Sequence, residues 1–142
     1  MKKIFHEGPI SPQFIADSIA KHQTKTSIGA HQIFLGQVRA DEIDGKTVSA
    51  IEYSAHEEMA EIAFHVIREA TFEAFPLTCM HIHHSLGEVK AGEICLFVFV
   101  SSEHREASNK AIVHLVEEIK AKAPIFGKEI FVDGSHVWKE NK

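Results

Sequence analysis

The chain has 142 residues, which at roughly 100 to 200 residues per domain predicts one domain over residues 1–142. Hydrophobic residues make up 44% of the sequence and charged residues 25%, so the chain can bury a core and does not belong to the disordered class. The formal net charge is −5, and without a basic excess to neutralise phosphates we expect no nucleic-acid partner. No apolar run approaches a membrane span and no signal-type segment follows the N-terminus, so we expect no membrane partner and a cytoplasmic location.

The first third of the chain predicts a short strand, a helix and two further strands. After a short apolar start, Ser11-Pro12 places an N-cap residue before a proline at the first helical position, which predicts a helix over residues 12–22. Residues 28–39 and 47–55 are rich in β-branched and apolar side chains, and the turn sequence Asp44-Gly45 separates them. We expect these two strands to pair as antiparallel neighbours.

A long amphipathic helix is predicted over residues 57–74. Its apolar side chains recur at the spacing of one helix face, which we expect to lie on the core: Met59, Ile62, Ala63, Val66, Ile67 and Ala70. Residues 77–85 then predict a strand, and residues 87–92 predict a turn. The next strand, over residues 93–101, is apolar on both faces and is therefore predicted to be buried.

A second long helix, over residues 104–122, is predicted to end before Pro124. One of its sides carries Ala111, Ile112, Leu115, Val116 and Ile119. A last strand over residues 129–132 precedes a turn at Asp133-Gly134. The order β-α-β-β-α-β-β-α-β predicts an α+β fold, with a mixed, largely antiparallel sheet, two long packed helices and a short N-terminal helix.

Cysteine and histidine usage raises the question of a metal site. Cys79 and Cys95 lie inside apolar stretches without CxxC spacing, which predicts two buried thiols rather than a disulfide or a redox pair. In the tract His81-Ile82-His83-His84, strand alternation puts His81 and His83 on one face and His84 on the other, so only two rings converge. Zinc takes three or four ligands, and neither cysteine is expected to complete the set. The sequence therefore favours structural or surface histidines and no metal site.

The segment Ser101-Ser102-Glu103-His104-Arg105 lies where the buried strand ends and the second long helix begins. A helix N-terminus presents unpaired N–H groups and a partial positive charge, so His104 and Arg105 would complete an anion pocket that fits a phosphate. The alternative is that Arg105 pairs with a surface carboxylate and His104 packs. Position alone does not separate these two interpretations.

The segment over residues 120–129 contains Lys120, Lys122 and Lys128. Lysines in a last helical turn are expected from the helix dipole alone. A lysine whose pKa is lowered from about 10.4 by burial or by a neighbouring cation can also act as a nucleophile or an acid. Arg39 and Arg105 would supply such cations if the fold brings them close, which the sequence does not show.

Several segments match one family in the same order along the chain. They are Phe34-Leu35-Gly36-Gln37-Val38-Arg39 (F-x-G-x-V-R), Ile51-Glu52-Tyr53 with Met59-Ala60-Glu61, Ile82-His83-His84-Ser85-Leu86-Gly87 with Gly92-Glu93, Ser101-Ser102-Glu103-His104-Arg105, Lys120 through Glu129, and Asp133-Gly134-Ser135 with Trp138. From about residue 28 onward, the chain resembles the large, catalytic subunit of molybdopterin synthase.

The resemblance implies a sulfurtransferase of molybdenum cofactor biosynthesis with an α/β-hammerhead-like fold. Its substrate would be cyclic pyranopterin monophosphate, which becomes molybdopterin when two sulfurs are inserted as a dithiolene. The sulfur would come from a thiocarboxylate on the C-terminal Gly-Gly of a small ubiquitin-like subunit, whose tail enters the pocket. Two large subunits would form a central homodimer with a small subunit at each end, giving a heterotetramer. Because molybdenum is added after this step and sulfur arrives in trans, the resemblance implies no cofactor, no metal and no chemistry at the cysteines.

The resemblance also implies site residues. Lys120 matches the first of the family's two essential lysines. The family pattern P-x-W-K-x-E puts the second where this chain has Gly127, with Lys128 one residue later. A shift of one residue along an extended segment reverses the side-chain direction, so either Gly127 lets the backbone turn Lys128 inward or that role is weakened. The implied catalytic residues are Lys120 and Lys128, and the implied substrate-binding residues are Gln37, Val38, Arg39, His104, Arg105, Lys120, Gly127, Lys128 and Glu129. The alternative is a non-catalytic relative that binds the partner and acts in assembly.

Overall fold

The computed structural model describes residues 3–139 of the chain. The helices and strands within that range are β1 (Phe5–Glu7), α1 (Pro12–His22), β2 (Ala30–Gln37), β3 (Glu42–Ile43), β4 (Lys46–Ala55), α2 (Glu57–Ala74), β5 (Cys79–Lys90), β6 (Ile94–Ser102), α3 (Arg105–Lys122), β7 (Ile125–Phe131) and β8 (His136–Trp138). No helix within residues 3–139 combines the length and the apolar character needed to cross a membrane.

The strands form one sheet in the order β2-β6-β5-β4-β7-β8, with β1 beside β5 and β3 beside β4. The pair β1 with β5 is parallel and the other pairs are antiparallel. The predicted α+β fold with a mixed, largely antiparallel sheet is therefore confirmed.

The expected pairing of β2 with β4 is wrong. β2 lies at one edge of the sheet and pairs with β6, whereas β4 pairs with β5 and β7. The turn at Asp44-Gly45, where both residues have positive φ (51° and 78°), joins β4 to β3 instead. A two-residue turn of this kind pairs the two strands directly before and after it, which here are β3 and β4. The turn therefore does not indicate which strand pairs with β2.

Helices cover both faces of the sheet. α2 and α3 lie over the main core, and α1 lies over a smaller core on the opposite face. The main core includes Phe64, Met80, Val98 and Leu115, and the smaller core contains Ile10, Ile15, Phe97 and Phe99. β6 lies between the two cores, which is why it is buried and apolar on both faces, as predicted.

The ends of the helices follow from local residues. α1 begins after Ser11, whose Oγ accepts a hydrogen bond from the backbone N–H of Phe14 at 3.1 Å. α3 ends at Lys122, because Ala123 is extended and Pro124 cannot continue the helix. The predicted ranges 12–22 and 57–74 are those of α1 and α2, and the range 104–122 differs from α3 by one residue.

The face of α2 that packs on the core differs from the predicted face. Its buried residues are Ala60, Phe64, Ile67 and Thr71. Of the predicted stripe, Ile67 is buried as expected, whereas Met59, Ile62 and Val66 are 55%, 62% and 60% exposed. The helix is thus turned by one residue, about 100°, from the predicted orientation. Burial of the large Phe64 ring favours the observed face, because it removes more apolar area from water than burial of Ile62 or Val66 would.

β5 and β7 are longer than predicted. The expected turn over residues 87–92 is wrong, because β5 continues to Lys90 and only residues 91–93 turn or bend. Gly87 has a φ of +81°, a backbone conformation that other residues rarely adopt, so glycine is favoured at this point of β5. β7 begins at Ile125 rather than at residue 129, because residues 125–128 pair with the end of β4. β3 and β8 have no counterpart among the predicted strands.

Candidate active site

A cavity of about 770 Å³ opens where β2, β4 and β7 meet the C-terminal end of α3. Its polar lining consists of Gln37, Arg39, Asp41, Tyr53, His84, Cys95, Lys120, Glu129 and Lys139. Six predicted site residues line the cavity: Gln37, Val38, Arg39, Lys120, Gly127 and Glu129. Three predicted site residues do not: His104, Arg105 and Lys128.

Arg39 and Lys120 bring two cations to the cavity from different elements. Arg39 follows the end of β2, where the buried Val38 donates its backbone N–H to the Glu93 carbonyl oxygen at 3.0 Å. The Arg39 side chain is 75% exposed at the rim, and its Nη2 lies 3.2 Å from Asp41 Oδ2. Lys120 belongs to the last turn of α3. An exposed ion pair such as that of Arg39 is weak, so Arg39 can exchange Asp41 for an anionic ligand at little cost.

Tyr53, His84 and Cys95 form the less exposed floor of the cavity. The Tyr53 hydroxyl donates to Cys95 Sγ at 3.4 Å, and Cys95 donates to the Gly36 carbonyl oxygen, also at 3.4 Å. Burial raises the pKa of Cys95, while Tyr53 and the Lys120 ammonium act in the opposite direction. Burial and then the neighbouring Cys95 raise the pKa of Tyr53. Both groups are therefore neutral at neutral pH.

His84 is neutral, and a hydrogen bond defines its tautomer. Its Nδ1 donates to the Ser85 carbonyl oxygen at 2.7 Å, which leaves Nε2 as the acceptor of the ring. Burial lowers the pKa of His84 to about 4. The Ser85 carbonyl opposes this effect, and the Lys120 ammonium adds to it. The ring meets Tyr53 edge to face, with 5.0 Å between the ring centroids. The cavity floor therefore presents a neutral imidazole within the electrostatic reach of Lys120.

Lys139 lies beside Gly127 at the cavity. The backbone N–H of Lys139 donates to the Gly127 carbonyl oxygen at 2.7 Å. A Cβ on Gly127 would lie 3.1 Å from Ile51 Cγ2 and 3.7 Å from Lys139 Cβ. The Lys139 ammonium also acts on Cys95, where it lowers the pKa of the thiol against the larger effect of burial. Sequence analysis missed Lys139 because it lies beyond the last predicted strand and outside the lysine-containing motif.

Lys128 does not line the cavity. Its Nζ lies 3.4 Å from Glu52 Oε1 and 5.9 Å from the centroid of the Trp138 ring. Its neighbours Gly127 and Glu129 do line the cavity, as expected when alternate residues of a strand face opposite sides of the sheet. Of the two possibilities that the sequence leaves for Lys128, this geometry favours the weakened role.

His104 and Arg105 lie at the opposite end of α3 from Lys120. Arg105 and Lys120 are 15 positions apart on this helix, which corresponds to about 22 Å along its axis. The His104 side chain is 87% exposed, with Nε2 3.5 Å from Glu103 Oε1. Within residues 3–139, the structure records no carboxylate paired with Arg105. The idea that Arg105 lies near Lys120 and Arg39 is therefore wrong within one chain, since a single long helix separates the two groups.

The histidine tract is divided between the two faces of the sheet, as predicted. His84 lines the cavity, while His81 and His83 lie on the face that α1 covers. On that face, His81 belongs to a cluster that the sequence did not indicate. His22 of α1 and Cys79 of β5 both approach His81, and their ligand atoms lie within 4.8 Å of one another. His22 and His81 are 59 residues apart in the sequence, so spacing within the tract could not indicate their contact.

Comparison with known proteins identifies the family. The family model described as MoaE protein matches residues 6–122, and the chain therefore belongs to this family. Molybdopterin synthase catalytic subunit 1 of Aedes aegypti is 40% identical over 119 residues, which cover 82% of this chain and 76% of that protein. The molybdopterin synthase catalytic subunit of Bos taurus is 33% identical over 132 residues, which cover 93% and 69% of the two chains.

Solved structures share the fold. Molybdopterin synthase from Staphylococcus aureus has a TM-score of 0.81 and 30% identity, and the match covers 99% of this chain and 98% of that one. A chain from the complex of subunits 1 and 2 of molybdopterin-converting factor from Helicobacter pylori 26695 has a TM-score of 0.82. That match covers 98% and 90% of the two chains at 16% identity, a likeness of fold alone. The predicted membership of the molybdopterin synthase catalytic subunit family, with its role in molybdopterin synthesis, is confirmed.

Proposed function

We propose that this chain is a sulfurtransferase that converts cyclic pyranopterin monophosphate to molybdopterin. The sulfur comes from the C-terminal thiocarboxylate of a small ubiquitin-like subunit. The observation that carries the proposal is a cavity whose lining holds three cationic side chains and two carboxylates above a floor of neutral groups: Arg39, Lys120 and Lys139, with Asp41 and Glu129. Such a cavity attracts both anions of the reaction, the phosphorylated pterin and the thiocarboxylate, because charges interact more strongly where water is partly excluded.

Lys120 acts at the terminal carbonyl of the partner's tail. The thiocarboxylate sulfur bonds to a carbon of the pterin side chain and displaces oxygen from that carbon. Water then attacks the carbonyl of the tail, the bond between this carbonyl carbon and sulfur breaks with its electron pair on sulfur, and the tail leaves as a carboxylate. Negative charge develops on the carbonyl oxygen during the attack, and the Lys120 ammonium stabilises it. Lys120 in its amine form is the alternative nucleophile, and only this route links the lysine covalently to the tail.

The two cysteines support a sulfur donor supplied in trans. Cys95 lies in the cavity floor, but burial raises its pKa and keeps it as a neutral thiol, which is a poor nucleophile. Cys79 is the first residue of β5 and lies next to His22 and His81, on the face of the sheet that α1 covers. The Helicobacter pylori neighbour is a complex of two subunits of a molybdopterin-converting factor, which supports a small-subunit partner.

A homodimer gives His104 and Arg105 a role in the same reaction. Because they lie about 22 Å along α3 from Lys120, they cannot hold the same small substrate as Lys120 of their own chain. A second copy that places the start of its α3 at this cavity supplies both side chains. Arg105 and the helix N-terminus would then bind the substrate phosphate, while Arg39 and Lys120 bind the reacting end.

Reconstitution tests the proposal. The full chain is mixed with thiocarboxylated small subunit and cyclic pyranopterin monophosphate, and the dithiolene product is measured over time. Product formation that depends on all three components is the expected result. Stable binding of the small subunit without product, at any substrate concentration, would contradict the proposal and favour the non-catalytic assembly role.

A further inference from the structure

Three side chains with metal-binding atoms converge on the face of the sheet that α1 covers. His22 is the last residue of α1, and Cys79 and His81 are the first and third residues of β5, so both β5 side chains share a face. His22 Nε2 and His81 Nε2 are 2.8 Å apart. These two nitrogens and Cys79 Sγ all lie within 4.8 Å of one another.

We propose that His22, Cys79 and His81 bind one Zn²⁺ ion. Two imidazole nitrogens and a thiolate at these separations reach a common centre at Zn–N and Zn–S distances of about 2.0 to 2.3 Å after small side-chain shifts. His81 is only half-buried, so water can enter as the fourth ligand. Met80, the neighbour of Cys79, is directed to the main core on the other face, so no thioether is available for a copper-type site.

The His22 ring is already oriented for a metal ion. Its Nδ1 donates to the Ser18 carbonyl oxygen at 2.7 Å, which directs the lone pair of Nε2 toward His81. A backbone carbonyl that holds the second ring nitrogen is the usual support of a metal-bound histidine. His22 also lies at the C-terminal end of α1, where the partial negative charge of the helix favours a cation.

Lys25 is the group that an incoming ion must replace. Its Nζ lies 2.9 Å from Cys79 Sγ, so a positive charge already faces the sulfur. Lys25 is exposed at the end of a flexible stem, and its ammonium can move into solvent when the ion binds. Metal binding therefore exchanges one cation for another at Cys79 and leaves no buried charge unpaired.

The ion would join α1 to β5, since His22 and His81 are 59 residues apart in the chain. α1 otherwise contacts the sheet through the smaller core, and a cross-link between the helix end and β5 would restrict its detachment. The cavity is on the other side of β5, where His84 points. The zinc site is therefore structural and independent of sulfur transfer.

Zinc titration of the metal-free, reduced full chain tests this proposal. We expect one equivalent of Zn²⁺ to bind, the unfolding temperature to rise, and Co²⁺ to give a thiolate-to-cobalt charge-transfer absorption. Cys79→Ser should remove the charge-transfer band, and both Cys79→Ser and His81→Gln should weaken Zn²⁺ binding at least about tenfold. Cys95→Ser and His83→Gln are the matched controls, because they change the second buried thiol and the other histidine of this strand face.

The outcomes separate a metal site from a histidine pair joined by a shared proton. Without measurable Zn²⁺ binding to the folded wild-type chain, the 2.8 Å contact is a hydrogen bond and the proposal fails. It also fails if Cys79→Ser binds Zn²⁺ as wild type does, or if His83→Gln weakens binding equally. Circular dichroism of each variant shows that it is folded, and Cys79→Ser, the smaller change, decides the result if His81→Gln does not fold.

A second inference concerns Lys139 and rests on the proposed sulfur transfer. Gly127 stands where the resembling family has its second lysine, and it lines the cavity without a side chain. The backbone of Lys139 is hydrogen-bonded to this same residue, and Lys139 lines the cavity there. The charges of Lys139 and Lys120 both lower the pKa of Cys95 in the cavity floor, against the larger effect of burial. Lys128, the residue next to Gly127, is directed to Glu52 instead.

We propose that Lys139 is the second cavity cation and takes the place of a lysine at position 127. An ammonium entering from β8 reaches the same space as one carried by β7, because the two strands are adjacent at this point. The second cation would share with Lys120 the stabilisation of charge on the partner's terminal carbonyl and on the departing sulfur.

A rescue experiment tests the role of Lys139. Lys139→Ala should reduce single-turnover product formation by roughly ten-fold or more, with small-subunit binding unchanged. Gly127→Lys in the Lys139→Ala background should restore much of the rate, because Gly127 has no positive φ and the three atoms nearest to a Cβ there, at 3.1 to 3.7 Å, belong to side chains. A role in packing alone would not be rescued in this way.

The possible failures can be told apart. If wild type makes no product, the proposed sulfur transfer is wrong. If wild type is active and Lys139→Ala has the wild-type rate, only the role of Lys139 is wrong. A slow Lys139→Ala variant that a folded Gly127→Lys/Lys139→Ala double variant does not rescue would also overturn the assignment.

Discussion

Lys128 and Glu52 form an ion pair between β7 and β4, with Nζ and Oε1 3.4 Å apart. The two residues are direct partners in the strand register. Gly127 and Glu129, on either side of Lys128, line the cavity, so this ion pair belongs to the opposite face of β7. Lys128 lies one residue after the position of the family's second lysine. Its side chain therefore pairs with a neighbouring strand of the sheet and does not face the cavity.

We predict that Lys128→Ala reduces turnover much less than Lys120→Ala. The lost ion pair is partly exposed, so the free energy of unfolding should fall by only about 0 to 1 kcal/mol. Single-turnover product formation and urea denaturation measure the two effects. A loss of turnover as large as that of Lys120→Ala would show that Lys128 reaches the cavity in the assembled enzyme.

Lys120→Ala should nearly abolish product formation while leaving the small subunit bound. Removal of a group that stabilises an oxyanion typically lowers kcat by roughly 10² to 10³, and a nucleophile would cost more. Lys122→Ala is the matched control, because Lys122 lies in the same helical turn but pairs with Glu118 outside the cavity. Normal turnover by Lys120→Ala would remove this residue from the mechanism.

Arg105→Ala should weaken substrate binding by about 1.5 to 3 kcal/mol, which is roughly ten-fold to more than a hundred-fold. The separation along α3 makes a further prediction about a homodimer. Mixing Arg105→Ala with Lys120→Ala should restore activity, because a mixed dimer has one cavity with Lys120 from one copy and Arg105 from the other. No recovery in dimers shown to exchange subunits would mean that the two residues do not share a site.

Local signals predicted the elements better than their partners. Ser11 with Pro12, and Pro124 after the last helical turn, identify the ends of α1 and α3 because capping depends on neighbouring residues. The pairing of β2 with β6 depends on contacts across about seventy residues, and no turn between the two strands reports it. The sequence therefore predicted the fold class and most of the elements, but not the order of strands in the sheet.

The candidate site shows the same limit. Arg39 and Lys120 were predicted from the resemblance to the family, because each lies in a short motif that can be matched along the sequence. Lys139 and His22 become functional candidates only through contacts that the fold creates. Lys139 reaches the cavity because β7 and β8 pair, and His22 reaches His81 because α1 packs on β5. No sequence spacing predicts either contact.

The orientation of α2 gives a stability prediction. Phe64 is 1% exposed and Ile62 is 62% exposed, although the aliphatic stripe predicted the opposite arrangement. Phe64→Ala should lower the free energy of unfolding by about 3 to 5 kcal/mol, the usual cost of removing a buried ring. Ile62→Ala should change it by no more than about 0.5 kcal/mol. Denaturant titration of both variants checks the assignment, and equal effects would mean that Ile62 also packs on the core.

His84 should make the stability of the fold depend on pH. Burial lowers its pKa from 6.5 to about 4, so between these values the unfolded chain binds a proton that the folded chain excludes. The free energy of unfolding should therefore fall as the pH drops through this range, and the contribution of His84 approaches about 3 kcal/mol at the acidic end. Position 84 does not titrate in His84→Gln. The other histidines, including His6 and His31 whose pKa values burial also lowers, and the carboxylates are common to both proteins and contribute equally. We predict that urea denaturation at pH 7 and at pH 4.5 gives a smaller difference for His84→Gln than for wild type. Identical pH dependence in the two proteins would show that His84 accepts a proton in the folded state, and so that the cavity floor admits a positive charge.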